Sequence, residues 1–372
     1  MGYIKQFDAV RAVAVIFVII SHWYKHIPFI DNLSLGSIGV NTFFVLSGFL
    51  ITSILLKQKI NSEKTNWSNV SILKNFYIRR SLRIFPIYYL LIFTLFLIGN
   101  KLGADIGEAF FYLLTYTTNI YFYNKQAAET IIYHLWSLAV EEQFYLFWPW
   151  ILLFINNKYL PAVIICLILI SIISLPIMST EADNFSDTLL FTCFDCFGAG
   201  ALLAYIRIIK PQYLRTFYKW LLWAAISSFV LLALYILQIG SLLSARTLHA
   251  IIALWVITYI YINADKDEVN FKFILHNVTF QFLGKISYGL YLYHLAIPYI
   301  TNAKFIRSHL YSHLPDSIKN YEYLLIEFEN IVLLLTVSYL SFVFIESPFL
   351  RLKKYAEFKS SKASDAYLIN IQ

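Results

Sequence analysis

Near the start of the chain stands Asp8-Ala-Val-Arg11-Ala-Val-Ala-Val-Ile-Phe-Val-Ile-Ile-Ser21-His22-Trp23-Tyr24-Lys25-His26, and this stretch decides the fold. Every residue between Arg11 and Ser21 is apolar. A helix that crosses a hydrocarbon core about 30 Å thick needs about 20 mostly apolar residues, and residues 9–26 supply such a run. It ends in Ser21-His22-Trp23-Tyr24-Lys25-His26 without a small-residue cleavage site, so it is expected to stay as a span and not to leave as a signal peptide. Comparable runs follow at roughly 36–56, 84–100, 138–156, 160–178, 188–208, 217–238, 244–263, 284–302 and 326–346. The expected architecture is all-α: a polytopic transmembrane bundle of about ten spans.

Composition agrees. Of 372 residues, 59% are hydrophobic and 14% charged, against about 45–50% and about 25% in soluble domains. Mean hydropathy is +0.64. A soluble single core cannot bury so much apolar material, and disorder is excluded. The sequence has no phosphate-binding glycine loop, no dinucleotide fingerprint and no fixed-period repeat.

The net charge of +7 is explained by topology. With both termini in the cytoplasm, 21 Lys and Arg fall in inner segments and 7 in outer ones, leaving Arg11 inside the first span. That is the positive-inside bias, and it removes any need for a nucleic-acid partner. The chain divides into a membrane domain over 1–350 and a short basic cytoplasmic tail over 351–372. Residues 104–125 are aromatic and amphipathic and are expected on, or dipping into, the outer face. Cys166, Cys193 and Cys196 sit in apolar stretches; for the Cys193/Cys196 pair, small buried helix residues are the simpler reading than a redox or metal pair. No metal site is expected.

Ionisable groups inside spans are costly and mark function. The eleven-residue step from Arg11 to His22 turns a helix to within about 20° of three full turns, with about 16 Å between them along the axis. Asp8 lies about 40° from the same line. The three form one polar stripe, which must face protein or water. An Asp8–Arg11 ion pair is the structural alternative for the first two. Span four opens His134-Leu-Trp136-Ser137-Leu-Ala-Val-Glu141-Glu142-Gln143-Phe144-Tyr145. Its adjacent carboxylates point about 100° apart, so one of them is expected in a shared pocket. A buried Glu suits acid–base work or hydroxyl binding.

Span two contains Gly39-Val-Asn41-Thr-Phe43-Phe44-Val-Leu-Ser47-Gly48-Phe49, with glycines placed for close packing. Arg79-Arg80-Ser-Leu-Arg83 precedes span three; Arg80 and Arg83 share a face, a pair suited to phosphate, though topology alone also accounts for it. In span nine Ser287, Tyr291 and His294 share a face, compatible with a helix contact or a catalytic role. Glu346, in Ile345-Glu346-Ser347-Pro348, ends span ten where it can pair with an arginine. Asp195 is isolated in span six and reads as structural.

Taken in order, Arg11-x10-His22, Gly39-Val-x-x-Phe43-Phe44-Val-Leu-Ser47-Gly48-Phe49, Arg80-x-x-Arg83, Trp136-Ser137-Leu-Ala-Val-Glu141, Ser287-Tyr288-x-x-Tyr291-Leu-x-His294 and Glu346-x-Pro348 make the chain resemble acyltransferase family 3, a group of bacterial integral-membrane acyltransferases. The resemblance covers nearly the whole chain. It implies a multi-pass protein of the cytoplasmic (inner) membrane that transfers an acyl group, most often acetyl, from cytoplasmic acyl-CoA to a sugar hydroxyl. The implied acceptor is a surface glycan or its lipid-linked precursor, such as an exopolysaccharide or a lipopolysaccharide O-antigen. Acetyl-CoA is a co-substrate, and no permanently bound cofactor is implied. Carried over by position, His22 and Arg11 form the catalytic centre with Glu141, and Arg80 and Arg83 serve the donor. Trp136, Ser137, Glu142, Ser47, Tyr291, His294 and Glu346 are acceptor-binding or supporting candidates. Some relatives carry an added esterase-like domain, which this sequence lacks, so a second catalytic step is expected to need a partner.

On this reading the pantetheine arm follows the stripe from Arg11 to His22. His22 then accepts the proton of the sugar hydroxyl, or carries the acyl group itself; the sequence leaves both routes open. Glu141 orients His22 or holds the sugar. A transporter or flippase is the competing class, but no inverted halves or paired broken helices are visible.

Overall fold

The long apolar runs fold as helices because a backbone in lipid must satisfy its own hydrogen bonds. The computed structural model describes residues 3–65, 67–102, 106–126, 131–179, 185–237, 243–264, 271–301 and 322–356, and among these there is no strand. The principal helices are α1 (Gln6–Trp23), α2 (Leu35–Thr65), α3 (Asn69–Ile98), α4 (Leu135–Phe154), α5 (Leu160–Met178), α6 (Phe194–Ile209), α7 (Leu214–Ile236), α8 (Ala245–Asn263), α9 (Val278–Lys285), α10 (Ser287–Tyr293), α11 (Ala296–Thr301) and α12 (Glu322–Ser341).

Eight helices among the described residues are long and apolar enough to cross a membrane. Two of the ten predicted runs lie outside that set. One is α4, a helix of 20 residues that carries Glu141 and Glu142. The other is 284–302, which breaks into α9, α10 and α11. Pro298 is one cause: it has no N–H to return to the carbonyl of His294, and its ring crowds that oxygen.

The helices form an inner and an outer layer. The spans containing α2 and α6 are each 67% buried, whereas those of α5 and α7 are 22% and 17%. Trp220, Trp223 and Phe229 of α7 are exposed and make an apolar flank suited to lipid. In the inner layer α2 packs against α1, α4, α6 and α8, and α1 also against α9 and α10. Several crossings depend on glycine, among them those at Gly48 and Gly284. A Cβ on Gly48 would overlap the carbonyl of Phe197, and a Cβ on Gly284 would overlap that of Asp8. Close backbone approach through small residues is how membrane helices gain contact where lipid offers no hydrophobic drive.

The described part of the aromatic segment expected on, or dipping into, the outer face packs onto the bundle. Short helices Phe110–Leu114 and Thr118–Lys125 are tied to the long ones. Tyr88 and Tyr89 donate to the carbonyls of Leu113 and Leu114 at 2.9 and 3.0 Å. Gln143 donates to Tyr116 O and Asn119 Oδ1, both at 2.8 Å. Most of the segment 303–325 and of the tail 351–372 lies outside the described residues.

Asp195 is not isolated. It accepts from the Cys196 N–H at 2.9 Å and from the Thr247 hydroxyl at 2.7 Å. Beside it, buried Arg246 donates to Thr192 O at 2.7 Å and pairs with Asp187 at 3.4 Å, fastening the 185–193 loop to α8. Cys193 and Cys196 are free and buried.

Candidate active site

The polar residues of α1 and its neighbours gather in three places. At the C-terminal end of α1, His22 Nδ1 lies 3.0 Å from Val18 O and 3.0 Å from His294 Nε2. His294 Nδ1 is 2.6 Å from Tyr291 O. A third imidazole, His134, stands with its ring centre 4.7 Å from that of His294. Its Nε2 is 3.2 Å from Leu292 O, and its Nδ1 is buried without a hydrogen-bond partner among the described residues.

The break in the ninth run builds this cluster. A helix leaves the carbonyls of its last turn without intrahelical donors, and α10 ends at Tyr293. Two of those carbonyls, Tyr291 and Leu292, are met by the rings of His294 and His134. The His294 carbonyl, which Pro298 cannot serve, accepts the Trp23 indole N–H at 2.8 Å. Ser137 and Tyr291 share a hydrogen bond, and Tyr291 donates to His134 O at 2.8 Å, joining α4 to α10.

The N-terminal end of α1 holds an ion network. Arg11 Nη1 pairs with Asp8 Oδ1 at 2.8 Å, and Tyr3 donates to Asp8 Oδ2. Burial, then Asp8, raises the Tyr3 hydroxyl above its ordinary value, so it remains a donor. Arg83 lies within electrostatic reach of Tyr3, Arg11 and Glu346. Glu346 is buried at the end of a π-helical turn, Phe342–Glu346, that precedes Pro348. One of its carboxyl oxygens has no partner among the described residues.

Between these ends sits Glu141. Ser47 and Tyr145 both donate to its Oε1, and their hydroxyl oxygens are 3.0 Å apart. The Arg80 guanidinium lies over the Tyr145 ring at 5.0 Å and the Phe76 ring at 5.7 Å. Glu142 turns to a different neighbourhood, the stacked pair Tyr88 and Tyr116 with Tyr288, and one of its oxygens also has no partner among the described residues. Both adjacent carboxylates are thus inside the protein on two faces of α4. Trp136 packs edge-on against Phe44 at 6.2 Å.

The structure therefore brings His22 together with His294, and Glu141 with Ser47. It does not bring Arg11 or Glu141 to His22. Arg11 is about 16 Å away along α1. Glu141 lies seven residues, about 10 Å, down α4 from His134. The group at His22 is His294, one of the acceptor-binding or supporting candidates. His134 and Tyr145 are further members. Tyr145 carries a sequence signal, its i+4 spacing from Glu141; His134 meets the cluster only through the fold.

An open groove of about 660 Å³ lies at the N-terminal half of α3, lined by Ser71, Lys74, Asn75, Ile78, Leu82, Leu352 and Tyr355. Lys353 beside it is within electrostatic reach of Arg79, Arg80 and Arg83. Among the described residues no group of three His, Cys, Asp or Glu side chains has the geometry of a metal site.

The model of an acyltransferase domain matches residues 4–346. The chain belongs to acyltransferase family 3. Among curated proteins, this acyltransferase-family chain is 30% identical over 382 aligned residues to O-acetyltransferase OatA of Staphylococcus aureus, covering 93% of this chain and 57% of that one. It is 32% identical to a putative O-acetyltransferase of S. aureus strain COL, covering 94% and 58%. The chain thus spans under three fifths of the length of these relatives. No solved structure matches it.

Proposed function

We propose that the chain is a membrane O-acyltransferase of the bacterial cytoplasmic membrane that passes an acetyl group from acetyl-CoA inside to a glycan hydroxyl outside. The observation that carries this reading is the separation of chemistries along one buried helix. A cationic, ion-paired end holds Arg11 with Arg83 nearby, and the opposite end holds His22 against His294. Family membership and relatives named O-acetyltransferase support it.

In this reading the donor's phosphates sit in the basic groove with Lys74, Lys353 and Arg83, since arginine forks suit phosphate oxygens. Arg80, stacked over Tyr145, links that groove to Glu141. The thin pantetheine arm passes Arg11 and Glu141 and presents the thioester near His22. The imidazole of His22 takes the proton of the attacking hydroxyl. Transfer through an acyl-His22 intermediate uses the same residue. The acceptor is a surface polysaccharide or its lipid-linked precursor, met on the face that carries the 106–126 segment.

The test is transfer of labelled acetyl from acetyl-CoA to a mixed cell-envelope glycan extract by purified protein in lipid. His22→Ala is expected to abolish transfer while acetyl-CoA still binds. Full activity in that variant would end the reading. A wild type that neither binds acetyl-CoA nor transfers acetyl would favour a transporter.

A further inference from the structure

The three histidines have defined tautomers, because each faces a backbone carbonyl, which only accepts. His294 Nδ1 lies 2.6 Å from Tyr291 O, so that nitrogen carries the proton and Nε2 of the neutral ring carries the lone pair. His22 Nδ1 meets this lone pair at 3.0 Å and Val18 O at 3.0 Å. Two acceptors converge on one nitrogen, so His22 Nδ1 carries its proton. Nε2 is then the basic nitrogen of His22, and no described residue hydrogen-bonds to it.

We propose that His294 is the positioning residue of the reaction, holding His22 in the Nδ1–H tautomer so that Nε2 is its base. This rests on the acyl-transfer reading above. The Val18 carbonyl belongs to α1 itself and is a second acceptor that favours the same tautomer. His294 comes from another element and fixes the ring's rotation. It is itself fixed by Tyr291 O and, through its own carbonyl, by the Trp23 indole. The arrangement follows the general logic of a base oriented by a third group.

The step balances. The acceptor hydroxyl gives its proton to His22 Nε2 as its oxygen bonds to the thioester carbonyl carbon. The carbon–sulfur bond breaks, and the leaving thiolate takes the proton back from Nε2. The ester and the free thiol are the products. Throughout, Nδ1–H remains a donor to His294 Nε2, and the transient imidazolium gains from a neutral acceptor in a dry site.

The first experiment is nitrogen-15 spectroscopy of ring-labelled protein in nanodiscs, with the His22 signals assigned by their loss in His22→Ala. The expected wild-type spectrum shows Nδ1 protonated and Nε2 bare; the reverse overturns the proposal. In the second, His294→Leu is expected to lower kcat about 10–100-fold, the range seen when a hydrogen-bond partner that orients a metal-ligating imidazole is removed. The KM for acetyl-CoA is expected to stay unchanged. His294→Gln, whose side-chain oxygen reaches the place of Nε2, should recover most of the rate. Equal activity of His294→Leu and wild type overturns the proposal while the enzyme reading stands. Full activity of His22→Ala overturns the enzyme reading itself. If His294→Leu fails to bind acetyl-CoA, the wild-type spectrum decides alone.

Discussion

Arg11 and His22 were both legible from one step of eleven residues, which already set them about 16 Å apart along α1, but the spacing did not tell which groups each meets. Geometry gives Arg11 a partner, Asp8, at 2.8 Å. Both side chains are mostly buried, and leaving one charge of such a pair alone costs about 3–5 kcal/mol. Asp8→Ala is therefore expected to lower the thermal stability of the purified protein by that order. The double replacement Asp8→Leu with Arg11→Met should be less damaging than the two single changes summed, because no charge is then stranded. If the double variant folds and still transfers acetyl at the wild-type rate, Arg11 is structural. A stable but inactive double variant assigns it to the donor path. Glu141 was legible as a buried carboxylate, yet its partners were not. Ser47 comes from α2, and no sequence pattern links it to α4. The sequence left Glu141 either to orient His22 or to hold the sugar, and only the packing shows the two turns of α4 between Glu141 and the histidine cluster at His134.

The ninth apolar run shows where hydropathy stops being informative. Composition marks 284–302 as long enough to span, but a window average is blind to the hydrogen bond that Pro298 removes. The break matters because the freed carbonyls of Tyr291, Leu292 and His294 hold two histidine rings and one indole. Pro298→Ala is expected to let α10 and α11 join, to draw the His294 carbonyl from Trp23 and to lower turnover without weakening acetyl-CoA binding. A variant with unchanged turnover would show that the break is incidental. The crossing of α9 on α1 has its own test. Gly284→Ala places a methyl group against the Asp8 carbonyl, and overpacking of this kind costs about 1–3 kcal/mol. A thermal midpoint equal to wild type would mean that the helices part there easily. By contrast, the long helices α1, α2, α3 and α5 to α8 were plain in the sequence, since about 20 apolar residues admit few other structures in lipid.

Across the molecule, the two ends of α1 present different chemistry, and the account ties them to different sides of a membrane. In the proposed reading, Arg83 and Lys353, beside the groove over Ser71–Leu82, would hold the donor's phosphates. Replacing Arg80 and Arg83 together should weaken acetyl-CoA affinity more than it lowers turnover at saturation; unchanged affinity would place the phosphates elsewhere. The short helices over 106–126 pack against α3 and α4, and exchanging them between relatives should move acceptor preference. Which sugar is met there was never legible, because no residue pattern encodes a single hydroxyl. The most direct measurement uses sealed vesicles with the protein inserted in one orientation, labelled acetyl-CoA trapped inside and glycan acceptor added outside. The account predicts labelled glycan outside, free coenzyme A thiol inside and neither with His22→Ala. Labelled glycan formed only when donor and acceptor share one side would contradict it.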